Sequence, residues 1–155
     1  MINAAEMTPT VETAISLTLR FGVDAIACEA TAARGISVGL PVPVLSGPAT
    51  EEIIQLPGEI VGEVFQSGDF EILRHSECMG GVAVCPIDDE NLEATSFECY
   101  RTLFAVLGAD HHAYRVWHYI PAINDRVEDL ENYRIFNIGR RRAFDDHFGA
   151  DAETQ

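Results

Sequence analysis

A chain of 155 residues suffices for one well-packed domain and falls short of two ordinary ones. No apolar run reaches a membrane span, and the polar start MINAAEMTPTVE lacks the basic and apolar regions of a signal peptide, so a cytoplasmic location and no membrane partner are expected. The net charge of −15, from 25 acidic residues against 10 basic ones, repels polyanions and argues against a nucleic-acid partner.

In chain order, VETAISLTLR alternates cleanly. Val11, Thr13, Ile15, Leu17 and Leu19 face one way, Glu12, Ser16, Thr18 and Arg20 the other, which predicts a half-buried strand. DAIACEA is a weaker strand. GISVGLPVPVLSGPATEE is rich in Gly and Pro, which break regular structure, and predicts a long loop with at most a short edge strand. EIVGEVFQSGDFEILRHSE predicts two strands about the turn Ser67-Gly68-Asp69, and GGVAVCP a short buried strand ended by Pro86.

A helix then starts near Asp88 or Asp89, with Glu90 and Glu93 suited to its first turns, and ends at Gly108. Leu92, Cys99, Leu103, Val106 and Leu107 share its apolar face. HAYRVWHYIP predicts a strand, with Tyr114, Val116, His118 and Ile120 on one side and Arg115, Trp117 and Tyr119 on the other. A last helix is predicted from about Val127 to Phe148, ended by Gly149, before a frayed polar tail over 149–155. The order β-β-α-β-α, with extra N-terminal strands, predicts one α+β domain over 1–148. Its expected form is a two-layer sandwich, a mixed sheet with both helices packed on one face.

Every basic residue is an arginine, so any anion site must be built from guanidinium groups, whose planar fork suits carboxylates. On the last helix, one arc collects Leu130, Tyr133, Phe136, Phe144 and Phe148, with Arg140 near its middle and Asn137 beside it. An unpaired buried guanidinium is not tolerable, so two tasks are open to Arg140. One is an internal ion pair, for instance with Glu131. The other is a carboxylate receptor that Arg115 would complete. Trp117 and Tyr119 either stack a small ring or serve as core aromatics.

His111-His112 with His118 could suggest a metal, but the adjacent pair at a helix-to-strand turn is expected to be solvated, and no metal is expected. Cys28, Cys78, Cys85 and Cys99 form no CxxC pair and are expected to be small apolar core residues rather than ligands or disulfides. Cys85 has no evident histidine partner, and its apolar strand would raise its pKa. Asp88-Asp89 and Asp145-Asp146 lie at helix ends, where capping and solvation explain them. No GxSxG, P-loop or dinucleotide fingerprint occurs, and no cofactor is expected.

RVWHYIPAIN followed by LENYRIFNIGRRRAF resembles a signature of the chorismatase family, R-x-W-N-Y-x-P-x-I-N and then E-x-Y-x-x-F-x-x-G-R-x-x-A-F. The matches are Arg115, Trp117, Tyr119, Pro121, Ile123 and Asn124, then Glu131, Tyr133, Phe136, Gly139, Arg140, Ala143 and Phe144. The likeness covers residues 110–145 firmly and the helix near 88–107 in outline. It implies chemistry that releases pyruvate from chorismate, a ring dianion, to give a hydroxybenzoate or a dihydroxycyclohexadiene acid, as a lyase or hydrolase of secondary metabolism. It also implies a YjgF/Rid-like fold, related to the trimeric chorismate-mutase-like fold and doubled in the family's chains.

Carried over residue by residue, the resemblance makes Arg115, Trp117, Tyr119, Asn124, Tyr133 and Arg140 substrate-binding. It assigns no catalytic residue here. Two departures stand out. His118 replaces the family's Asn, and the family's second half, with its catalytic glutamate, has no counterpart before Gln155. The expectation is an amino-terminal half that binds a small chorismate-like carboxylate and is inactive without a second Rid-like domain. The alternative is a non-catalytic Rid-like module that self-associates, as a trimer, around inter-subunit carboxylate sites. A Rid-type deaminase ranks last, for want of that family's arginine motif.

Overall fold

The computed structural model of the chain describes residues 16–31, 35–43, 47, 51–55, 62–75, 78–87 and 91–149. In order these form β1 (Ser16–Phe21), β2 (Ala27–Thr31), β3 (Gly35–Leu40), β4 (Glu51–Gln55), β5 (Gly62–Ser67), β6 (Phe70–His75) and β7 (Cys78–Ala83). After them come α1 (Leu92–Leu107), β8 (Arg126–Val127), β9 (Leu130–Glu131) and α2 (Asn132–Phe148). The class is α+β, with two helices and three small sheets among the described residues. Contacts gather into two compact units, residues 1–66 with 71–82, and residues 67–70 with 83–155.

The first unit is built on a four-stranded sheet of order β2-β3-β1-β4. β1 runs parallel to β3 and antiparallel to β4. Leu17 and Leu19 are buried while Ser16, Thr18 and Arg20 are only partly so, which is the alternation expected of a strand with one covered face. The 11–15 part of the predicted strand lies outside the described residues. The core joins Leu17, Leu19, Ile36, Val38, Leu40 and Leu73.

The stretch expected to be a long loop instead supplies β3, a central strand, and begins β4. Ile36, Val38 and Leu40 alternate within it, and Gly35 and Gly39, which read as breakers, permit close approach of neighbouring chain. A Cβ at Gly35 would overlap the Ser16 carbonyl and sit 2.8 Å from the Ser16 amide nitrogen. DAIACEA does contain a strand, β2, on the sheet edge and largely exposed. The hairpin of β5 and β6 turns at the expected place, and a third strand, β7, completes the order β5-β6-β7. β7 starts at Cys78, ahead of GGVAVCP, and is half-buried.

In the second unit α1 and α2 pack on each other. Their core is Leu92, Tyr100, Phe104, Phe136 and Ala143. The capping positions Asp88 and Asp89 lie outside the described residues; α1 begins at Leu92 and closes at Gly108, whose amide donates to the Phe104 carbonyl. Its buried stripe is Leu92, Ser96, Tyr100 and Phe104, an i, i+4 row. Of the expected face the structure buries Leu92 and leaves Leu103 and Leu107 at the cluster's margin. The difference has a cause: Ser96 and Tyr100 look polar, yet Ser96 Oγ donates to the Leu92 carbonyl at 2.6 Å, which makes it fit for burial.

α2 starts at Asn132 rather than Val127. Residues 126–131 instead make a two-stranded hairpin pairing Arg126 with Glu131 and Val127 with Leu130. Asn132 is buried and tied down, its amide donating to the Asp125 carbonyl at 2.8 Å and its side-chain Nδ2 to the Ala122 carbonyl at 3.1 Å. HAYRVWHYIP joins no sheet among the described residues. It runs along the surface with Tyr114 99% exposed, while Ile120 packs against the helix core.

The core role expected of the cysteines is also corrected. Cys85 and Cys99 are joined as a disulfide, Cys28 is exposed and Cys78 half-buried. Cys85 follows β7 and Cys99 lies on α1, so the pair forms between segments that only the fold brings together. Among the described residues no helix is long and apolar enough to cross a membrane.

Candidate functional site

Arg140 lies on α2 one turn after Phe136 and one turn before Phe144, so the i, i+4 geometry places a guanidinium between two phenyl rings. Across from it α1 presents Tyr100, only 7% exposed, whose ring lies 6.4 Å from that of Phe136 and 5.6 Å from that of Phe144. Phe104 closes the far side, edge-on to Phe144 at 5.0 Å. The segment after α1 brings in His118, its Nε2 2.7 Å from Tyr100 Oη and its ring 4.8 Å from that of Phe136. The Arg140 charge acts on both Tyr100 and His118.

The donor directions follow from chemistry. A guanidinium only donates, so what Tyr100 Oη offers towards Arg140 is a lone pair. In the tautomer that carries the ring proton on Nδ1, His118 Nε2 accepts the phenol proton. Burial raises the Tyr100 pKa, an effect the Arg140 charge and hydrogen bond oppose, so the phenol stays protonated at neutral pH. Burial and then the Arg140 charge lower the His118 pKa, so the imidazole stays neutral there. The result is a short relay of donors with one fixed positive charge at its end.

Arg140 takes part in none of the ion pairs among the described residues, which join Arg74 to Glu63, Arg101 to Glu98, Arg141 to Asp145 and Arg142 to Glu93. The internal pair, one of the two tasks open to Arg140 and exemplified by Glu131, does not form among the described residues. Glu131 is exposed at the start of α2, while Arg140 points to Tyr100 two turns and more along the helix.

The six residues expected to bind substrate are not gathered at one point. Arg115 lays its guanidinium over the Trp117 ring, 5.0 Å from the centroid, on an exposed stretch. Tyr119 is 41% exposed, so neither it nor Trp117 is a core aromatic. Asn124 is exposed in the turn that follows. Tyr133 lies off the buried stripe of α2, which is Asn132, Phe136, Gly139 and Ala143. It lines a shallow groove of about 520 Å³ with Leu130, Arg134, Asn137, Ile138, Arg141 and Arg142. Only Arg140 stands in the aromatic cluster. Tyr100 was missed in the sequence, and its one signal there is the i, i+4 spacing to Ser96 and Phe104.

A family model described as chorismatase FkbO/Hyg5-like, N-terminal, matches residues 59–154, well over half of the chain and the whole of this cluster. No curated protein matches the sequence.

Proposed function

The chain belongs to the chorismatase FkbO/Hyg5-like N-terminal family, and from that premise we propose that it is the carboxylate-recognising, non-catalytic half of a chorismatase-type enzyme. Arg140 seats one carboxylate of a chorismate-like ring through forked hydrogen bonds, and Phe136, Phe144 and Tyr100 give the ring an apolar wall. The acid that protonates the departing enolpyruvyl side comes from a complement, either a second Rid-like domain or further copies of this chain in a trimer. A YjgF/Rid-like two-layer fold is part of the same reading; it rests on the family match over residues 59–154, since only the two-residue strands β8 and β9 lie between α1 and α2 among the described residues.

One observation carries it. Arg140 is partly buried among aromatic rings and, among the described residues, pairs with no carboxylate. A guanidinium so placed is stabilised by an anion from outside. Calorimetric titration with chorismate checks this, together with a pyruvate assay. The chain alone should bind without releasing pyruvate. Arg140→Met should weaken binding about 10- to 100-fold, the loss of a charged hydrogen bond, with an unchanged circular dichroism spectrum. Unfolding of that variant, or rapid pyruvate release by the chain alone, contradicts the proposal.

The trimer is favoured over a monomer by the exposed aromatic run of Tyr114, Trp117 and Tyr119. Light scattering should show a mass of three chains, and a clean monomer assigns the complement to a separate domain.

A further inference from the structure

The carboxylate reading uses Arg140 and the Tyr100 ring and leaves the Tyr100 hydroxyl and His118 without a task, although the Arg140 charge acts on both. Tyr100 Oη lies 2.7 Å from His118 Nε2. The imidazole stacks on the Tyr100 ring at 5.8 Å and meets the edge of Phe136 at 4.8 Å, so its surroundings on the protein side are apolar. The charged and titratable groups facing it are Tyr100 from α1 and Arg140 from α2. On its own segment, Arg115 is turned onto the Trp117 ring. Among the described residues no carboxylate pairs with His118 or with Arg140.

Resting on the Arg140 reading above, we infer that Tyr100, His118 and Arg140 form one proton-linked carboxylate site, in which a carboxylate held by Arg140 draws a proton from solvent onto His118. With the site empty, Nε2 accepts the Tyr100 proton, and a second positive charge beside the guanidinium is disfavoured. A bound carboxylate cancels much of that field. Nε2 then takes one proton from water and donates to Tyr100 Oη. The phenol proton is freed to turn towards the carboxylate, so the ligand gains a second donor as the site gains a charge. The ligand class is a ring carboxylate, taken up together with a proton.

The direction of the pH effect follows. In the free protein, burial and the Arg140 charge keep the imidazole below its ordinary range. Binding removes part of the second cause and raises it. Affinity therefore increases as pH falls through the bound-state value and levels off below the free-state value. A rise of about one pKa unit on binding corresponds to about tenfold in affinity.

The test is calorimetric titration of the whole chain with benzoate, whose carboxyl stays ionised above about pH 5. Running it at about pH 6 in two buffers of different ionisation enthalpy counts protons directly. The wild-type chain should take up a measurable fraction of a proton and bind about tenfold tighter at about pH 5 than at about pH 8. His118→Gln, which keeps an acceptor but cannot charge, should lose both the uptake and the pH slope. Wild-type binding without uptake, or uptake retained in His118→Gln, overturns the linkage and leaves Arg140 as a simple carboxylate anchor. Absence of benzoate binding at every pH, in a chain folded by circular dichroism, overturns the anchor and the linkage together.

Discussion

Gly139→Ala is expected to destabilise the helix pair, although alanine is the better helix former. In an isolated helix the exchange would help by about 1 kcal/mol. Gly139 is buried at the crossing of α1 and α2, where a Cβ would overlap the Glu93 carbonyl oxygen and stand 2.9 Å from the Ser96 Cβ. The first obstacle is backbone, which cannot swing aside as a side chain can. Overpacking of this kind costs about 1–3 kcal/mol, and a rigid obstacle places it at the upper end, for a net loss of about 2 kcal/mol. In a chain of this size that lowers Tm by about 4–8 °C. Thermal melts followed by far-UV circular dichroism measure the shift. Trp117, the single tryptophan, reports on the same unit by fluorescence. A variant as stable as the parent would mean that the helices lie farther apart than described.

Gly35→Ala should have an effect at least as large in the other unit, for two reasons that add. Gly35 has φ +95°, a left-handed conformation that costs an alanine about 1–2 kcal/mol. It also faces Ser16, its partner in the parallel ladder, so closely that a methyl group overlaps the Ser16 backbone. The expected loss is about 3 kcal/mol or more. Hydrogen exchange locates it: amides of β1 and β3, from Ser16 to Phe21 and Gly35 to Leu40, should lose protection while those of α1 and α2 keep theirs. Unchanged protection in β1 would contradict the parallel register.

Both glycines show why part of the fold was hard to read. In GISVGLPVPVLSGPATEE the Gly and Pro content suggested a loop, yet Ile36, Val38 and Leu40 make β3 one of the two interior strands of its sheet. A glycine needed for close approach and a glycine needed for a turn look alike in one dimension. HAYRVWHYIP erred the other way. Its alternation is real, but a strand also needs a neighbouring edge, and no period in a sequence reports one. On α1 the apolar count favoured Cys99, Leu103 and Val106, whereas the buried row runs through Ser96 and Tyr100, whose polar atoms are satisfied locally or by His118. Hydropathy ranks side chains by transfer from water and is blind to partners that arrive from elsewhere.

The site was legible to a similar extent. Arg140 stood out because a guanidinium amid phenyl rings is costly unless something meets it, and that holds for any helix with this order of residues. Tyr100 and His118 lie 40 and 22 positions away from it and could not be joined to it by spacing alone.

From its residues alone the chain is an acidic α+β protein whose β1 alternates, whose hairpin turns about Gly68, and whose motifs at 115–124 and 131–144 place it in its family. Those are properties of neighbours along the chain, where period, turn chemistry and motif spacing are explicit. Which face of each helix is buried, that Gly139 lets two helices meet, and that Arg140 meets a phenol and an imidazole rather than Glu131 were decided in three dimensions. Each of these depends on contacts between segments far apart in sequence, and their energies belong to the pair rather than to either residue.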